Sequence, residues 1–199
     1  MKVLVIGGSG VLGTAVVEEL SLRHEIIQAN YSSGDIRVDI TSQDSILALF
    51  QKVNKIDAVV LTTGNVHFGE FAAMTAKEYE IGLRSKLMGQ VNTVLIGRNY
   101  LNEHGSFTLT SGILSHDPIQ YGSSASMVNG ALESFTIAAA IEMPNRLRIN
   151  CVSPTVITES MGAYGPYFRG YKSVSSAEAA LAYSKSVEGL QTGQVYRVG

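Results

Sequence analysis

The sequence holds one cysteine, Cys151, no tryptophan and four prolines in 199 residues. A single thiol excludes an intramolecular disulfide and a cysteine-based metal site, and it suits a reducing cytoplasm. Charge is sparse: 16% of residues are Asp, Glu, Lys or Arg, and the net charge is −2. Without a broad basic surface, neither nucleic acid nor an anionic membrane is expected as a partner. His24, His67, His104 and His116 are scattered, and no pair has metal-ligand spacing. Surface or loop roles are expected for them, and no bound metal. No apolar run reaches the length of a membrane span, and the first, ending at Gly7, is too short for a secretory leader. A soluble, cytoplasmic chain is the expectation.

What the chain does have is apolar content, 45%, in two alternating periodicities. Val3–Ile6 is a short β-branched run, followed by Leu12, Val16, Val17 and Leu20 at helical spacing. Glu25–Ala29 and Ile36–Val38 read as strands two and three. Ser42 opens a helix with Ile46, Leu49, Phe50 and Val53 on its core face. Asp57–Thr62 reads as a strand covered on both faces. Helix is expected from about Tyr79 to Glu103, strand over Ser106–Thr110, helix over Ser123–Glu142 ended by Pro144, and strand over Leu147–Val152. After an irregular, aromatic-rich stretch at about Gly162–Gly170, a helix at Ser176–Val187 and a strand at Gln194–Val198 close the chain. Repeated β-α-β units predict an α/β, Rossmann-type doubly wound parallel sheet of about seven strands with helices on both faces. No linker or repeat divides it, so one nucleotide-binding domain over 1–199 is expected.

The strongest local signal is Gly7-Gly8-Ser9-Gly10-Val11-Leu12-Gly13, between the first strand and the first helix. Glycines here let the chain turn tightly, let the backbone approach a pyrophosphate and let the helix pack on the strand. The helix N-terminus then offers free N–H groups and a positive dipole end. No Gly-Lys-Ser/Thr follows, which excludes a Walker phosphate loop. At the end of the second strand stands Asn30-Tyr31-Ser32-Ser33, with no acid to hold a ribose 2′-hydroxyl; Asp35 is the nearest. Hydroxyls such as Ser32, together with Arg37, tolerate a 2′-phosphate, which leans towards NADP(H) over NAD(H).

Further along, Val38-Asp39-Ile40, Leu61-Thr62-Thr63-Gly64, Leu109-Thr110-Ser111-Gly112, Arg148-Ile149-Asn150-Cys151-Val152-Ser153-Pro154 and Gly193-Gln194-Val195-Tyr196-Arg197-Val198 fall in the order of the motifs of the short-chain dehydrogenase/reductase superfamily. The chain resembles that superfamily over nearly its whole length. The resemblance implies that Asp39 and Ile40 meet the adenine, that Thr62, Thr63 and Gly64 line the cofactor, and that Ser111 is the catalytic serine. Pro154 and Thr155 would also bind the cofactor, although Thr155 replaces the family's glycine. The GxxGxxG spacing also departs from the GxxxGxG of ordinary members of this length.

A larger departure is the catalytic pair. Ordinary members place a Tyr and a Lys one helical turn apart, the ammonium lowering a phenol pKa of about 10 and holding the nicotinamide ribose. If Tyr121 is the catalytic tyrosine, the Lys position falls on Ala125. If the helix is matched by its body, Asn129 to Glu142, the two positions become Ala125 and Asn129, and the spacing to Asn150 is kept; this register is preferred. Either way no Lys follows a Tyr by one turn. Ser111, Tyr121 and Lys86 are therefore the catalytic candidates, with Asn129 near the cofactor. Lys86, where the family often has Asn, could supply the missing charge or lie solvated on its helix. Tyr121 could be catalytic or merely cap the fold; Ser111 could polarise a carbonyl or bond backbone; Asn129 could touch the ribose or begin its helix's buried face. Tyr164, Tyr167, Phe168 and Tyr171 either form a lid over substrate or pack their own loop.

The expected function is NAD(P)-dependent hydride transfer to or from a small carbonyl or alcohol. The alternative is an inactive NADP(H)-binding sensor, and a non-redox enzyme on the same scaffold is a third reading. The Ala-rich helix Ser123–Glu142 and the long helix before it resemble the family's subunit interface, so a homodimer or homotetramer is expected.

Overall fold

The computed structural model describes residues 1–199. Its elements in chain order are β1 (Lys2–Ile6), α1 (Val11–Ser21), β2 (Glu25–Asn30), β3 (Ile36–Arg37), α2 (Gln43–Val53), β4 (Ile56–Leu61), α3 (Ala76–Gly82), α4 (Met88–Gly97), β5 (Leu101–Thr110), α5 (Ser123–Glu142), β6 (Arg148–Pro154), α6 (Met161–Tyr164), α7 (Ser176–Glu188) and β7 (Val195–Val198). The seven strands form one sheet, ordered β3-β2-β1-β4-β5-β6-β7, with every neighbouring pair parallel. Alternate residues of each central strand enter opposite layers. Leu4, Ile6, Val59 and Leu61 pack on α2, α4 and α5 through Ile46, Phe50, Val94 and Leu132. Val3, Val5, Ala58 and Val60 pack on α1 and α7 through Val16, Leu20, Ala180 and Tyr183. The chain winds outward from β1 to β3, then returns to β4 on β1's other side. A crevice opens outside the carboxyl ends of the strands at that reversal, the place where such sheets bind ligands.

Local signals explain several boundaries. Ser42 caps α2 by accepting the Ser45 N–H at 3.2 Å, and Ser175 caps α7 by accepting that of Glu178 at 3.1 Å. Arg148 donates to the carbonyls of Ser186 (2.7 Å) and Val187 (2.9 Å) at the end of α7. Asn150 donates to Gln191 O and accepts from Gln194 N, which aligns β7 beside β6. The Arg-Ile-Asn motif is thus a latch for the last helix and strand.

The expected helix from Tyr79 to Glu103 is corrected. α3 and α4 are separated by a π-helical segment, Leu83–Leu87, and α4 ends at Gly97. A Cβ at Gly97 would strike the Phe50 ring, so the helix packs there and then turns. β5 begins at Leu101, pairs there with Ile56, breaks register around His104 (φ 65°), and resumes at Ser106. The sequence pattern finds only that second, regular part. β3 stops at Arg37, one residue short of expectation.

At the glycine turn, Gly7 has φ +94°, and a Cβ on it would lie 2.8 Å from Thr63 Cβ. A Cβ on Gly13 would collide with the Gly7 carbonyl oxygen, whereas one on Gly10 would meet nothing nearer than 3.7 Å. Gly13→Ala is expected to push α1 off the turn and destabilise the fold by about 1–3 kcal/mol. Gly10→Ala, with φ −78°, is expected to cost less than about 1 kcal/mol. Urea denaturation of the two variants checks this difference.

Candidate active site

The crevice at the sheet reversal is a cleft of about 600 Å³. Gly7, Ser9, Gly10, Ser32, Asp39, Ile40, Thr62, Thr63 and Gly64 of the sequence-predicted set line it. Asn30, Tyr31, Thr41, Asn65 and Ser85 line it too, and sequence reasoning gave them no role there. Asn30, at the end of β2, accepts the Ser9 N–H (3.2 Å) and so holds the glycine turn. Asp39 accepts from the Thr41 N–H (2.9 Å) and hydroxyl (2.7 Å). α1 starts at Gly10 with no side-chain cap and no acid in its first turn. Its leading N–H groups and positive dipole end are therefore free for an anion. Gly8, Val11, Leu12 and Gly13 are not among the lining residues; Gly13 is buried under the turn and serves packing. Arg37 is corrected as well: it lines a separate hollow with Ser45 and Lys52. The Asp35 carboxylate is occupied by the Gln28 N–H at 2.8 Å.

The second cluster lies at the end of β5. Gln90, fully buried in α4, clamps Thr110 by donating to its carbonyl and accepting its N–H, both at 2.9 Å. Ser111 follows; its N–H bonds Val152 O, and its hydroxyl donates to Glu133 Oε1 at 2.9 Å. That one carboxylate oxygen also accepts from Ser115 (2.6 Å) and Ser153 (2.9 Å), while Arg197 stands 3.5 Å from the other. Glu133 is the main residue sequence reasoning missed. The signal was present: with Ala125, Asn129 and Thr136 it falls on the buried face of α5. Asn129 donates weakly to Gly112 O (3.4 Å), and its Oδ1 is buried without a partner, as is Thr155 Oγ1. A polar ligand at this end of the sheet would satisfy such atoms, which is the fit a dinucleotide's polar head requires.

Lys86 joins Ser111, and the bland expectation of a solvated lysine is corrected. It sits in the π segment, where the widened turn brings its stem against Gly64 (φ +128°); a Cβ on Gly64 would come 2.6 Å from Lys86 Cα. Its Nζ donates to Ser111 O at 2.9 Å. The residue as a whole keeps some solvent contact, yet burial pushes the ammonium pKa from the usual 10.5 to about 8. Burial likewise pushes the Cys151 thiol up to about 11, as suits a core residue.

Tyr121 is not brought into this cluster. It lies in the loop before α5 with φ +66° and lines a different cavity, of about 380 Å³, with Phe68, Tyr164 and Tyr167. Tyr164 and Tyr167 come from α6 and the turn after it, so these two aromatics face a cavity. Phe168 instead packs inward on Leu114, Ala125 and Val156, with Tyr171 against it. No group of three or more His, Cys, Asp or Glu could hold a metal ion, and no helix is long and apolar enough to cross a membrane.

Residues 5–191 match a family model described as enoyl-(acyl carrier protein) reductase. The solved structure of the protein lin1944 from Listeria innocua is similar to this chain with a TM-score of 0.99 and 48% identity, over 100% of both chains. A small-chain dehydrogenase in complex with NADPH shares the fold with a TM-score of 0.88 at 23% identity, over 100% of this chain and 96% of that one. The short-chain dehydrogenase/reductase ATR9 of Stachybotrys chlorohalonatus is 28% identical over 195 residues, spanning 81% of this chain and 76% of that protein.

The lowered Lys86 pKa carries a stability signature. Between pH 8 and 10.5 the unfolded chain holds the proton that the folded chain has released, so stability rises with pH in that window. Below pH 8 both states are protonated and the full cost of burying the charge is present. Lys86→Met is expected to be more stable than wild type at pH 7, with that advantage shrinking by about 1 kcal/mol at pH 9. Paired urea denaturation at the two pH values measures it; a constant difference would mean the ammonium is not desolvated.

Proposed function

The chain belongs to the short-chain dehydrogenase/reductase superfamily, and from that membership we propose that it is an NAD(P)-dependent oxidoreductase acting on a small carbonyl or alcohol. The observation that carries this reading is the uncapped N-terminus of α1 at a glycine turn, opening on the cleft at the sheet reversal. Residues 1–199 act as one nucleotide-binding domain. The turn Gly7–Gly13 would hold the pyrophosphate, Asp39 and Ile40 the adenine, and Thr62, Thr63 and Gly64 the path between the halves of the dinucleotide. Asn129, Pro154 and Thr155 would border the nicotinamide end. When bound, the nicotinamide supplies or accepts the hydride. NADP(H) is favoured over NAD(H) because Ser32 lines the cleft at the end of β2 with no acid next to it in the chain, the one lining carboxylate, Asp39, being engaged by Thr41.

At the reacting centre, Ser111 would orient the substrate oxygen. Its hydroxyl can turn from Glu133 to a ligand, because Ser115 and Ser153 still satisfy that carboxylate. Lys86 places a positive charge beside Ser111 and holds a proton at Nζ with a pKa lowered to about 8, at the upper edge of the range useful for acid–base work. One observation favours a second reading, an NADP(H)-binding regulatory protein without turnover. Ser111 is 4% exposed, and the Lys86 ammonium is turned onto a backbone carbonyl.

Titration with NADPH and NADH, followed by a panel of aldehydes, ketones and quinones, tests the proposal. The expected result is saturable binding, tighter for NADPH, and loss of nicotinamide fluorescence with a carbonyl. Lys86→Met and Ser111→Ala are each expected to lower turnover by roughly 10²-fold while NADPH still binds. Binding without any turnover favours the regulatory reading, and no binding of either nucleotide refutes both.

The same membership, with exposed Ile81 on α3, Met88 and Leu95 on α4 and Met127, Ile137 and Ile141 on α5, supports a homodimer or homotetramer. Ile141 is 85% exposed in the single chain, an apolar exposure that association would remove. Ile137→Glu with Ile141→Glu is expected to give a folded monomer by sedimentation, against a dimer or larger for wild type. A monomeric wild type at micromolar concentration refutes the assembly.

A further inference from the structure

The cavity beside Tyr121 is built from three separate segments. Phe68 and Glu70 come from the loop after β4, Tyr121 from the loop before α5, and Tyr164 and Tyr167 from α6 and its following turn. The rings form two pairs, Phe68 with Tyr164 at 6.2 Å between centroids and 47° between planes, and Tyr121 with Tyr167 at 6.0 Å and 77°. None of these four rings is buried in the core; their exposures run from 36% to 48%, and all four line the same space. Tyr121 is held in the left-handed region, uncommon for a bulky residue, and its carbonyl accepts the Gly69 N–H at 3.2 Å. The volume, about 380 Å³, suits a compact ligand.

Chemistry narrows the ligand. Glu70 is the one charged residue in the lining, and no Lys, Arg or His takes part. Aromatic faces carry negative quadrupole potential and attract cations. An anion would meet four such rings and a carboxylate. A neutral apolar ligand would meet the rings but gain nothing from Glu70, which is exposed and keeps its water. A compact organic cation with methylated or otherwise apolar surface meets both requirements: it offers charge to Glu70 and the rings, and it needs few hydrogen-bond partners. We propose that the Phe68–Tyr121–Tyr164–Tyr167 cavity, with Glu70, is a recognition site for a compact organic cation, the non-reacting ammonium end of the substrate. The link to substrate rests on the oxidoreductase reading above; the cation site itself does not.

The test is direct binding to the whole chain without cofactor, using choline and its neutral isostere 3,3-dimethylbutan-1-ol. Tyrosine fluorescence or calorimetry reads it, since the chain has no tryptophan. Choline is expected to bind saturably and about tenfold or more tighter than the isostere. Glu70→Gln is expected to weaken choline several-fold, and Tyr164→Leu with Tyr167→Leu to weaken it by more than tenfold, with the isostere less affected. Both tyrosines are nearly half exposed, and urea denaturation of the variants confirms that they fold. Equal affinity for the two probes overturns the proposal and leaves an apolar pocket; no binding of either also overturns it. NADPH titration of the same samples reads the other cleft. Choline binding with no NADPH binding therefore supports the cation site while removing the oxidoreductase reading.

Discussion

Everything at the carboxyl end of the sheet depends on how closely backbone meets backbone around Gly7. β1 ends there against Thr62 and Thr63, and α1 begins there with Gly13 seated on the Gly7 carbonyl. Neither approach leaves room for a Cβ. The result is a helix N-terminus delivered to the reversal of the sheet with its leading N–H groups unspent. Asn30 ties the same turn to the next strand through Ser9. The cleft is therefore a product of close approach rather than of any one polar side chain, and side chains such as Asp39, Thr41 and Ser32 only furnish its walls.

The reacting end follows a different logic, that of polar groups buried together. Gln90 binds both the carbonyl and the N–H of Thr110 and reaches Thr63 O at 3.5 Å, which fixes the end of β5. Glu133 gathers three serine hydroxyls from the ends of β5 and β6 and the loop between β5 and α5. Lys86 closes the group from the helix side through the Ser111 carbonyl. The buried Lys86 ammonium costs desolvation, and its place beside these partnered polar groups is an argument for function at this spot.

Much of the fold was legible because its signals are local. Seven strands, the serine cap at Ser42, the span of α5 and the glycine turn all follow from period, cap and turn chemistry within a few residues. The long helix was misread because apolar residues at helical spacing, Leu83, Leu87, Val91 and Val94 or Leu95, continue past a change of helical type that no side-chain pattern marks. Arg37 was misplaced because a strand's two faces cannot be told apart without its neighbours; it lines a separate hollow. The site was legible by kind but not by arrangement. Ser111 and Lys86 were named, yet their meeting depends on a contact across twenty-five positions. Glu133, sitting among alanines and serines, carried only the weak signal of an acid on a buried helical face.

The π segment between α3 and α4 has a consequence for descent. A π turn holds one residue more than an α turn, so the helix upstream of Lys86 is out of phase with the helix downstream by roughly 100°. A relative that lost that single residue would carry a straight helix, and the side chain standing at Ser111 would come from a neighbouring position in its chain. Two such proteins would agree in space and disagree in number. Matching them column by column would pair Lys86 with a residue that faces elsewhere.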